Sequence, residues 1–439
     1  MIGATLVRRA AEMAARLTYR DVEVLAHRGP PDGPVLAVSN HFGGAADAVL
    51  LIYLSERMPR IVARDVIWRV PVARSVMRSI QGIPVHKAED PGDGRSANDA
   101  MFGSCYDALA DGSLVLIFPE GVTQDDPYLA PVKTGAARIA LGARAAGVAG
   151  ITILPVGIHY ENKAAFRSRV LVAAGEPIDL DEVAPTLDPA GEPVSADNRI
   201  AVTSLTEQIA TGMRSVGPDY RDWDQARDLQ LAATTALRHV RAGQASASED
   251  VPMALTEQLA GRLARRPEPV RLRVREAARQ YQTSLDALRL TDYQLASSTR
   301  RESTRRTVLD AFLTVLLVPY ALVGAFAVAV PYLLVQGTRL IPAAPAVRAT
   351  ILPIVALLAF LAEWVWVSVS VASRQGAESG AVIAFLLPAF VGATVVVAER
   401  AVLLWRALRR WAASRRRGLS LRAVRQQRDD LLVAVREAL

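Results

Sequence analysis

The most informative absences in this 439-residue sequence concern cysteine and lysine. Its single cysteine, Cys105, excludes an internal disulfide bond and a cysteine-rich metal site. Lysine occurs only as Lys87, Lys133 and Lys163 among 51 basic residues, so arginine fills nearly every basic position. Because an ammonium group is more compact than a guanidinium, these three lysines are candidates for sites that need a compact cation.

Other absences narrow the class of protein. Residues 1–19 are amphipathic and carry arginines, and they lack the uninterrupted apolar core of an export signal. We expect them to form a helix that either packs on the domain or rests on a membrane surface. No internal repeat is evident, which disfavours a transporter built from duplicated halves. No His, Cys or carboxylate cluster has metal-ligand spacing, so neither a metal nor a cofactor is expected.

The composition indicates an anionic, lipid-associated environment. Hydrophobic residues make up 51% of the chain, which is high for a wholly soluble protein. The net charge of +7 favours an anionic partner, such as a phospholipid surface or a phosphorylated small molecule. Nucleic acid is not expected as a partner, because the arginines cluster beside apolar segments without interleaved aromatic residues.

The first half of the chain alternates between short apolar runs and helical stretches. Strands are predicted at residues 22–27, 34–40, 61–64, 113–119, 151–160 and 169–175. Helices are predicted between and after them, at residues 46–57, 97–111, 134–147 and 198–215. This alternation predicts an α/β domain over residues 1–220, with a sheet flanked by helices. Residues 221–306 are rich in Ala, Arg, Gln and Leu and predict a helical connecting region.

The second half contains long apolar segments. Charged residues are absent or single in three stretches, at residues 311–335, 349–372 and 380–398. Each stretch is long enough to cross the hydrocarbon core of a bilayer. The pattern predicts an α-helical transmembrane region over residues 307–405 and a basic helical tail over residues 406–439.

The charge around these segments predicts their topology. Arginines precede the apolar block and follow it, and the positive-inside rule places both flanks in the cytoplasm. An even number of crossings is then required, which conflicts with three spans. One segment is therefore predicted to be re-entrant or interfacial, and the first is favoured because it contains Pro319 and Pro331. The arginine-rich tail is also expected to attract anionic phospholipids.

The segment "SNHFGGAADAVLL" joins a basic ring to an acid. His41 follows a predicted strand, and Asp47 lies in the first turns of the next predicted helix. This arrangement predicts a general base whose tautomer is fixed by a carboxylate. Gly43 and Gly44 permit close approach of the backbone and offer N–H groups to a developing oxyanion. The alternative is a capped turn that contains a structural histidine.

Three further motifs follow in order. "GIPVHKAED" delivers Lys87 after a short predicted strand. "LIFPEGVTQDDPYLAPVKTGAARIAL" contains a strand, the turn at Glu120 and Gly121, and Lys133 just before a helix, a combination that suits a phosphate group. "ILPVGIHY" is a predicted strand. Together with the His–Asp segment, these motifs resemble the four blocks of the glycerolipid acyltransferases: N-H with a later D, G-x-I-P-V, F-P-E-G and L-P-V-G.

The resemblance covers roughly the first half of the chain and implies a function. It implies direct transfer of a fatty acyl group from acyl-CoA or acyl-carrier protein to glycerol 3-phosphate, dihydroxyacetone phosphate or 1-acylglycerol 3-phosphate. It implies that His41 is the base and that Asp47 orients it. It also implies a multi-pass protein of the cell inner membrane, like a bacterial and fungal branch of the family, with its catalytic domain in the cytoplasm.

The same resemblance implies roles for the acceptor site. Arg64, in "VARDVIW", Lys87 and Lys133 are implied to hold the acceptor phosphate, and Glu120 and Gly121 to shape the acceptor pocket.

This sequence departs from the commoner family pattern at three points. Five residues rather than four separate His41 from Asp47, Lys87 replaces the usual arginine, and no T-R-S follows F-P-E-G. The longer gap is found in some glycerol-3-phosphate-type members, but it would also fit an inactive domain that serves as a lipid-binding or scaffold module. A channel or transporter is a further alternative, suggested by Glu363 inside an apolar segment.

Overall fold

The computed structural model describes residues 2–26, 32–86, 94–163, 165, 167–241, 251–288, 290–296, 300–338, 345–415 and 421–439. The chain divides into two compact units. The first comprises Met1–Arg227 and Pro252–Gly261, and the second comprises Asp228–Val251 and Arg262–Leu439.

The first unit is built on one eight-stranded sheet. Its strands are β1 (Tyr19–Ala26), β2 (Val35–Ser39), β3 (Arg60–Arg64), β4 (Ile83–Val85), β5 (Leu114–Ile117), β6 (Thr152–Tyr160), β7 (Ser168–Ala174) and β8 (Ile178–Asp179). The order across the sheet is β1-β7-β6-β2-β5-β3-β4, and β8 pairs with β6. Strands β6, β2, β5, β3 and β4 run parallel, whereas β7 is antiparallel to β6. The predicted α/β class and its strands are confirmed.

Helices cover both faces of this sheet, and other helices form the second unit. In chain order they are α1 (Ile2–Thr18), α2 (Ala45–Leu54), α3 (Pro71–Ser79), α4 (Gly94–Ala110), α5 (Gly135–Ala145), α6 (Leu180–Val183), α7 (Arg199–Val216), α8 (Trp223–Arg241), α9 (Met253–Ala264), α10 (Glu268–Leu288), α11 (Asp292–Ala296), α12 (Arg300–Ala327), α13 (Ala329–Thr338), α14 (Pro345–Gln375), α15 (Ala377–Arg415) and α16 (Leu421–Ala438).

The core of the first unit explains why its central strands are apolar throughout. Along β2, Val35 and Ala37 face a layer formed by α1, α2 and α3. Leu36 and Val38 face the opposite layer, formed by α4, α5 and α7. Because successive side chains of a strand point to opposite faces, a parallel sheet covered on both sides has no position for a polar residue in mid-strand. Polar side chains are therefore left for the strand ends.

A buried histidine attaches α9 to this sheet. His159 Nδ1 lies 3.3 Å from Glu257 Oε2, and its Nε2 lies 2.6 Å from the carbonyl oxygen of Val216. Tyr220 donates a hydrogen bond of 2.8 Å to the same Glu257 oxygen. Burial acts to lower the pKa of His159. The hydrogen bond and negative charge of Glu257, together with the hydrogen bond to the Val216 carbonyl, outweigh burial, so the net shift of the pKa is upward.

This contact predicts a stability that decreases with pH. The pKa of His159 is raised on folding. Its contribution to the stability of the folded state is therefore fully present below the unfolded-state pKa of about 6.5, and is lost as the pH rises through the higher folded-state pKa. We expect the melting temperature of the full chain to fall between pH 6 and pH 9, and to fall less in His159→Gln. Exposed His239 supplies the control, because His239→Gln should retain the wild-type dependence. Equal slopes in all three proteins would contradict this assignment.

The second unit is helical, and a buried ionic cluster connects its helices. Asp292 is 5% exposed and accepts hydrogen bonds from Tyr281 and Arg428, each 2.8 Å long, and also from Arg238. These residues belong to α8, α10, α11 and α16. The cluster therefore joins the helix after the apolar segments to helices before them.

Helices α12 to α15 contain the three apolar segments. Among the described residues, one segment, Ala377–Val402, is long and apolar enough to cross a membrane by length and composition. The predicted span 311–335 is divided at Val328, which leaves the shorter apolar stretch Ala311–Ala327. The predicted span 349–372 lies in α14, and its side chains up to residue 357 lie outside the description. The predicted transmembrane region over residues 307–405 is therefore not confirmed, because only one of its three segments passes this test among the described residues.

Candidate active site

The sheet brings the predicted motifs to one edge. Strands β2, β5, β3 and β6 are parallel, so their carboxyl ends lie together, as they do at the ligand-binding edge of many α/β folds. His41 follows β2, Glu120 follows β5, Arg64 ends β3 and Tyr160 ends β6. Lys87 follows β4 in sequence and lies outside the described residues.

His41 and Asp47 form the predicted pair. The distance from His41 Nδ1 to Asp47 Oδ2 is 2.9 Å, and Asp47 is fully buried whereas the His41 side chain is 21% exposed. An ionised carboxylate can only accept hydrogen bonds, so Nδ1 carries the proton and the lone pair of a neutral ring is on Nε2. The ring also stacks on Phe118, with centroids 4.1 Å apart. The arrangement is that of an oriented general base.

The two glycines between His41 and Asp47 differ in their structural roles. The N–H of Gly43 donates a 2.8 Å hydrogen bond to Asp47 Oδ2, so it is engaged within the pair. Gly44 caps α2 with a φ of 63°, a conformation that favours glycine. Of the two predicted oxyanion donors, Gly44 therefore remains the candidate.

Glu120 supports the backbone of the base. It is 1% exposed, and its Oε1 accepts a 2.8 Å bond from the N–H of His41. Its Oε2 accepts from the N–H of Ala130 at 2.9 Å and from Gln124 Nε2 at 3.1 Å. Burial raises the pKa of Glu120, although the hydrogen bonds from Ala130 and His41 oppose the shift. Both carboxylate oxygens are thus engaged by the loops that carry the site.

Two predicted basic residues are described. Lys133 packs against Gly121: if a Cβ atom were added to this glycine, it would lie 2.8 Å from Lys133 Nζ. Gly121 has a φ of 65°. The backbone N–H of Lys133 donates to the carbonyl oxygen of Pro119, which fixes this exposed residue beside the F-P-E-G turn. Arg64 is exposed at the end of β3.

Lys163, which lies outside the four motifs, was a candidate only because lysine is rare in the sequence. Its Nζ donates a 2.8 Å hydrogen bond to the carbonyl oxygen of Phe42, the residue after His41, and it forms an ion pair with Asp125. The motifs gave no signal for this contact with the His41 loop.

Sequence reasoning also missed two polar side chains that connect β6 to the segment carrying the His41–Asp47 pair. Asn40 donates to the carbonyl oxygen of Ile158 at 3.0 Å and accepts from the N–H of Ile158 at 2.7 Å. The hydroxyl of Tyr160 donates to Asp47 Oδ1 at 2.5 Å. The asparagine of the N-H motif is therefore an anchor that fixes the position at which His41 leaves the sheet.

Cys105 is unsuited to carry an acyl group. Its side chain is fully buried, and burial raises the pKa of the thiol to about 12. A thiol in this state is a weak nucleophile. Within the described ranges, no group of three His, Cys, Asp or Glu side chains could hold a metal ion.

Comparison with known proteins agrees with this geometry. The family model described as "Acyltransferase" matches residues 16–159. These residues contain the described motif residues. The matched region includes the His41–Asp47 pair, Glu120 and Lys133.

Two curated relatives match part of this chain. Glycerol-3-phosphate O-acyltransferase 2 of Saccharomyces cerevisiae is 36% identical over 136 residues, which cover 31% of this chain and 18% of the relative. Glycerol-3-phosphate O-acyltransferase 1 of the same yeast is 32% identical over 133 residues, covering 30% and 17% respectively. The matched segment thus spans less than a fifth of either relative. A solved 1-acyl-sn-glycerophosphate acyltransferase from Thermotoga maritima has 18% identity and a TM-score of 0.33, covering 47% of this chain and 78% of that one.

Proposed function

We propose that this protein is a membrane-bound O-acyltransferase that moves a fatty acyl group from a thioester to glycerol 3-phosphate. The observation that carries the proposal is the His41–Asp47 pair, with its ring nitrogen available at the ligand-binding edge of an acyltransferase domain. The names of the two yeast relatives support glycerol 3-phosphate as the acceptor. The donor is acyl-CoA or acyl-carrier protein, and no metal or cofactor takes part.

The proposed chemistry is a direct transfer. His41 Nε2 takes the proton of an acceptor hydroxyl as its oxygen attacks the thioester carbonyl carbon. The new C–O bond forms through a tetrahedral intermediate, whose oxyanion is stabilised by the N–H of Gly44. When the C–S bond breaks, the proton on His41 passes to the leaving sulfur. Asp47 holds the ring and stabilises the imidazolium that forms between these steps.

The acceptor phosphate is proposed to bind beside the F-P-E-G turn. Lys133 is the central cation because its Nζ lies against Gly121, next to the loop that carries Glu120. Arg64 and Lys87, from the ends of neighbouring strands, complete the predicted set. Lys163 adds a cation at Phe42. A phosphate bound here would place its glycerol hydroxyls towards His41.

Lys133→Met tests this phosphate site. We expect KM for glycerol 3-phosphate to rise about 10-fold, since a charge-assisted hydrogen bond is lost, with kcat and KM for the thioester little changed. Steady-state thiol release would measure both constants. Lys133→Arg is the matched control, because it retains the charge and should lose less affinity. An unchanged KM in Lys133→Met would place the phosphate elsewhere.

The proposed membrane attachment rests on the second unit. Helices α12 and α15 approach closely at Gly324, where a Cβ would lie 2.1 Å from the carbonyl oxygen of Phe390, and small residues at such contacts are typical of membrane helices. Large apolar side chains such as Phe326 and Phe385 are more than 80% exposed. A lipid environment would cover them.

The helix packing also bears on the proposed topology. The contact of α16 with α10 through the Asp292 cluster supports the proposal that both flanks of the apolar block lie on one side of the membrane. An even number of crossings follows for a chain that spans it. We propose a multi-pass protein of the inner membrane, with its arginine-rich flanks against anionic phospholipids on the cytoplasmic side.

A panel of acceptors tests the proposed reaction. The full-length protein in membranes would receive a long-chain acyl-CoA or acyl-carrier protein, together with glycerol 3-phosphate, dihydroxyacetone phosphate or 1-acylglycerol 3-phosphate. We expect thiol release to be fastest with glycerol 3-phosphate. Preference for 1-acylglycerol 3-phosphate would make the enzyme a phosphatidate-forming acyltransferase. No release with any donor and acceptor would favour an inactive lipid-binding or scaffold domain.

A further inference from the structure

Two tyrosines approach Asp47 from the side opposite His41. Tyr160, the last residue of β6, donates its hydroxyl to Asp47 Oδ1 at 2.5 Å. Tyr19, the first residue of β1, is 8% exposed, and its ring centroid lies 6.0 Å from that of Tyr160. The carboxylate of Asp47 is thus contacted by His41 and Gly43 on one oxygen and by Tyr160 on the other.

The hydroxyl of Tyr160 is held as a donor. A tyrosine hydroxyl has one proton, and Tyr160 gives its proton to Asp47. Burial and the charge of Asp47 raise the pKa of Tyr160 well above its ordinary value. Tyr160 thus remains protonated at neutral pH.

The loop between His41 and Asp47 is shaped around the Tyr160 hydroxyl. A Cβ added at Gly43 would lie 2.3 Å from Tyr160 Oη and 2.7 Å from Asp47 Oδ1. Real Cβ atoms essentially never approach another heavy atom so closely, so the loop admits the tyrosine only because residue 43 is glycine. The glycine thus serves the contact between the tyrosine and the acid.

We infer that Tyr160 is a positioning residue that sets the orientation of Asp47 and the strength of its interaction with His41. This inference rests on the proposed function of His41 as the base. Three hydrogen bonds hold the carboxylate so that Oδ2 faces His41. The hydrogen bond that Tyr160 donates to Oδ1 also draws negative charge away from the carboxylate. Asp47 therefore stabilises the His41 imidazolium less strongly than it would without this bond. His41 can then release its proton to the leaving sulfur.

The expected kinetic effect of Tyr160→Phe follows from this role. We expect kcat to fall about 10-fold, since a hydrogen bond to a charged group is lost, with KM for either substrate changed less than about 2-fold. Without the donor, Asp47 stabilises the imidazolium more strongly. The acidic limb of the profile of kcat/KM against pH should therefore move up by about 0.5 pH.

A chemical titration separates this inference from the proposed reaction. Diethyl pyrocarbonate modifies only the unprotonated imidazole, so its rate at His41, followed by peptide mass spectrometry, gives the protonation midpoint without any acyl transfer. We expect the midpoint to rise by about 0.5 pH in Tyr160→Phe. Tyr220→Phe is the matched control, because it also removes a buried hydroxyl from a carboxylate, that of Glu257, and should leave the midpoint unchanged.

The outcomes distinguish the two ideas. If the His41 midpoint shifts in Tyr160→Phe but the wild type shows no acyl transfer, the role of Tyr160 is supported and the proposed function is contradicted. An active wild type with the same midpoint and kcat in a folded Tyr160→Phe protein would overturn the positioning role. Folding is checked by the melting temperature of each variant.

Discussion

Replacing Asp47 with asparagine is expected to lower kcat for acyl transfer by about 1,000-fold or more. The asparagine amide can turn its NH2 group towards His41, which would favour the tautomer with its proton on Nε2. That proton would occupy the lone pair needed to accept one from the acceptor hydroxyl. The N–H of Gly43 and the hydroxyl of Tyr160 would also compete for the single amide oxygen. Thiol release from acyl-CoA at saturating glycerol 3-phosphate measures the effect.

A matched carboxylate controls for the loss of charge. Asp111 is exposed and forms an ion pair with Arg60 in the same unit, so Asp111→Asn should retain near wild-type kcat. The Asp47→Asn protein must also show a cooperative melting transition, so that misfolding is excluded. A folded Asp47→Asn enzyme with more than about a tenth of the wild-type rate would be incompatible with an oriented base.

Replacing Glu120 with alanine is expected to affect both stability and activity. It would leave the N–H groups of His41 and Ala130 and the amide of Gln124 without their buried acceptor. Each unsatisfied buried group costs about 1–3 kcal/mol, so the free energy of unfolding should fall by about 3 kcal/mol or more. Activity should be lost as well, because the backbone of the base is no longer fixed. Denaturant unfolding and thiol release would be measured on the same samples.

Glu192, an exposed acid in a loop of the first unit, gives the comparison. Glu192→Ala should change the free energy of unfolding by less than about 0.5 kcal/mol. Glu120→Gln should lie between the two, because one carbonyl oxygen is retained. A Glu120→Ala protein that is as stable and as active as Glu192→Ala would show that the hydrogen bonds of Glu120 do not support the site.

The sequence allowed the local part of the fold and site to be predicted. Buried strands read as apolar runs, and His41 and Asp47 belong to one strand–loop–helix segment, so their contact needed no knowledge of the rest of the chain. The partners of Asn40 and Tyr160 could not be predicted in the same way. Asn40 joins the end of β2 to Ile158 of β6, 118 residues away, and Tyr160 joins β6 to Asp47 of α2, 113 residues away. Both contacts depend on the strand order.

The membrane region was harder to predict, because hydropathy does not locate helix breaks. Pro319 lies inside α12 without ending it, whereas the break falls at Val328, shortly before Pro331. A proline lacks the N–H of the helical bond, yet neighbouring turns can tolerate this loss at one position and not at another. The contact between α16 and α10, which constrains the topology, involves charged residues far apart in sequence.

The central claim is that His41 promotes direct transfer of an acyl group to glycerol 3-phosphate. The most direct measurement is the formation of extractable lipid from labelled glycerol 3-phosphate and acyl-CoA, by the full-length protein in membranes, beside His41→Ala. We expect the wild type to form labelled acylglycerol phosphate and His41→Ala to form less than about a thousandth as much. Equal product from both proteins would contradict the role of His41, and none from a folded wild type would contradict the proposed function.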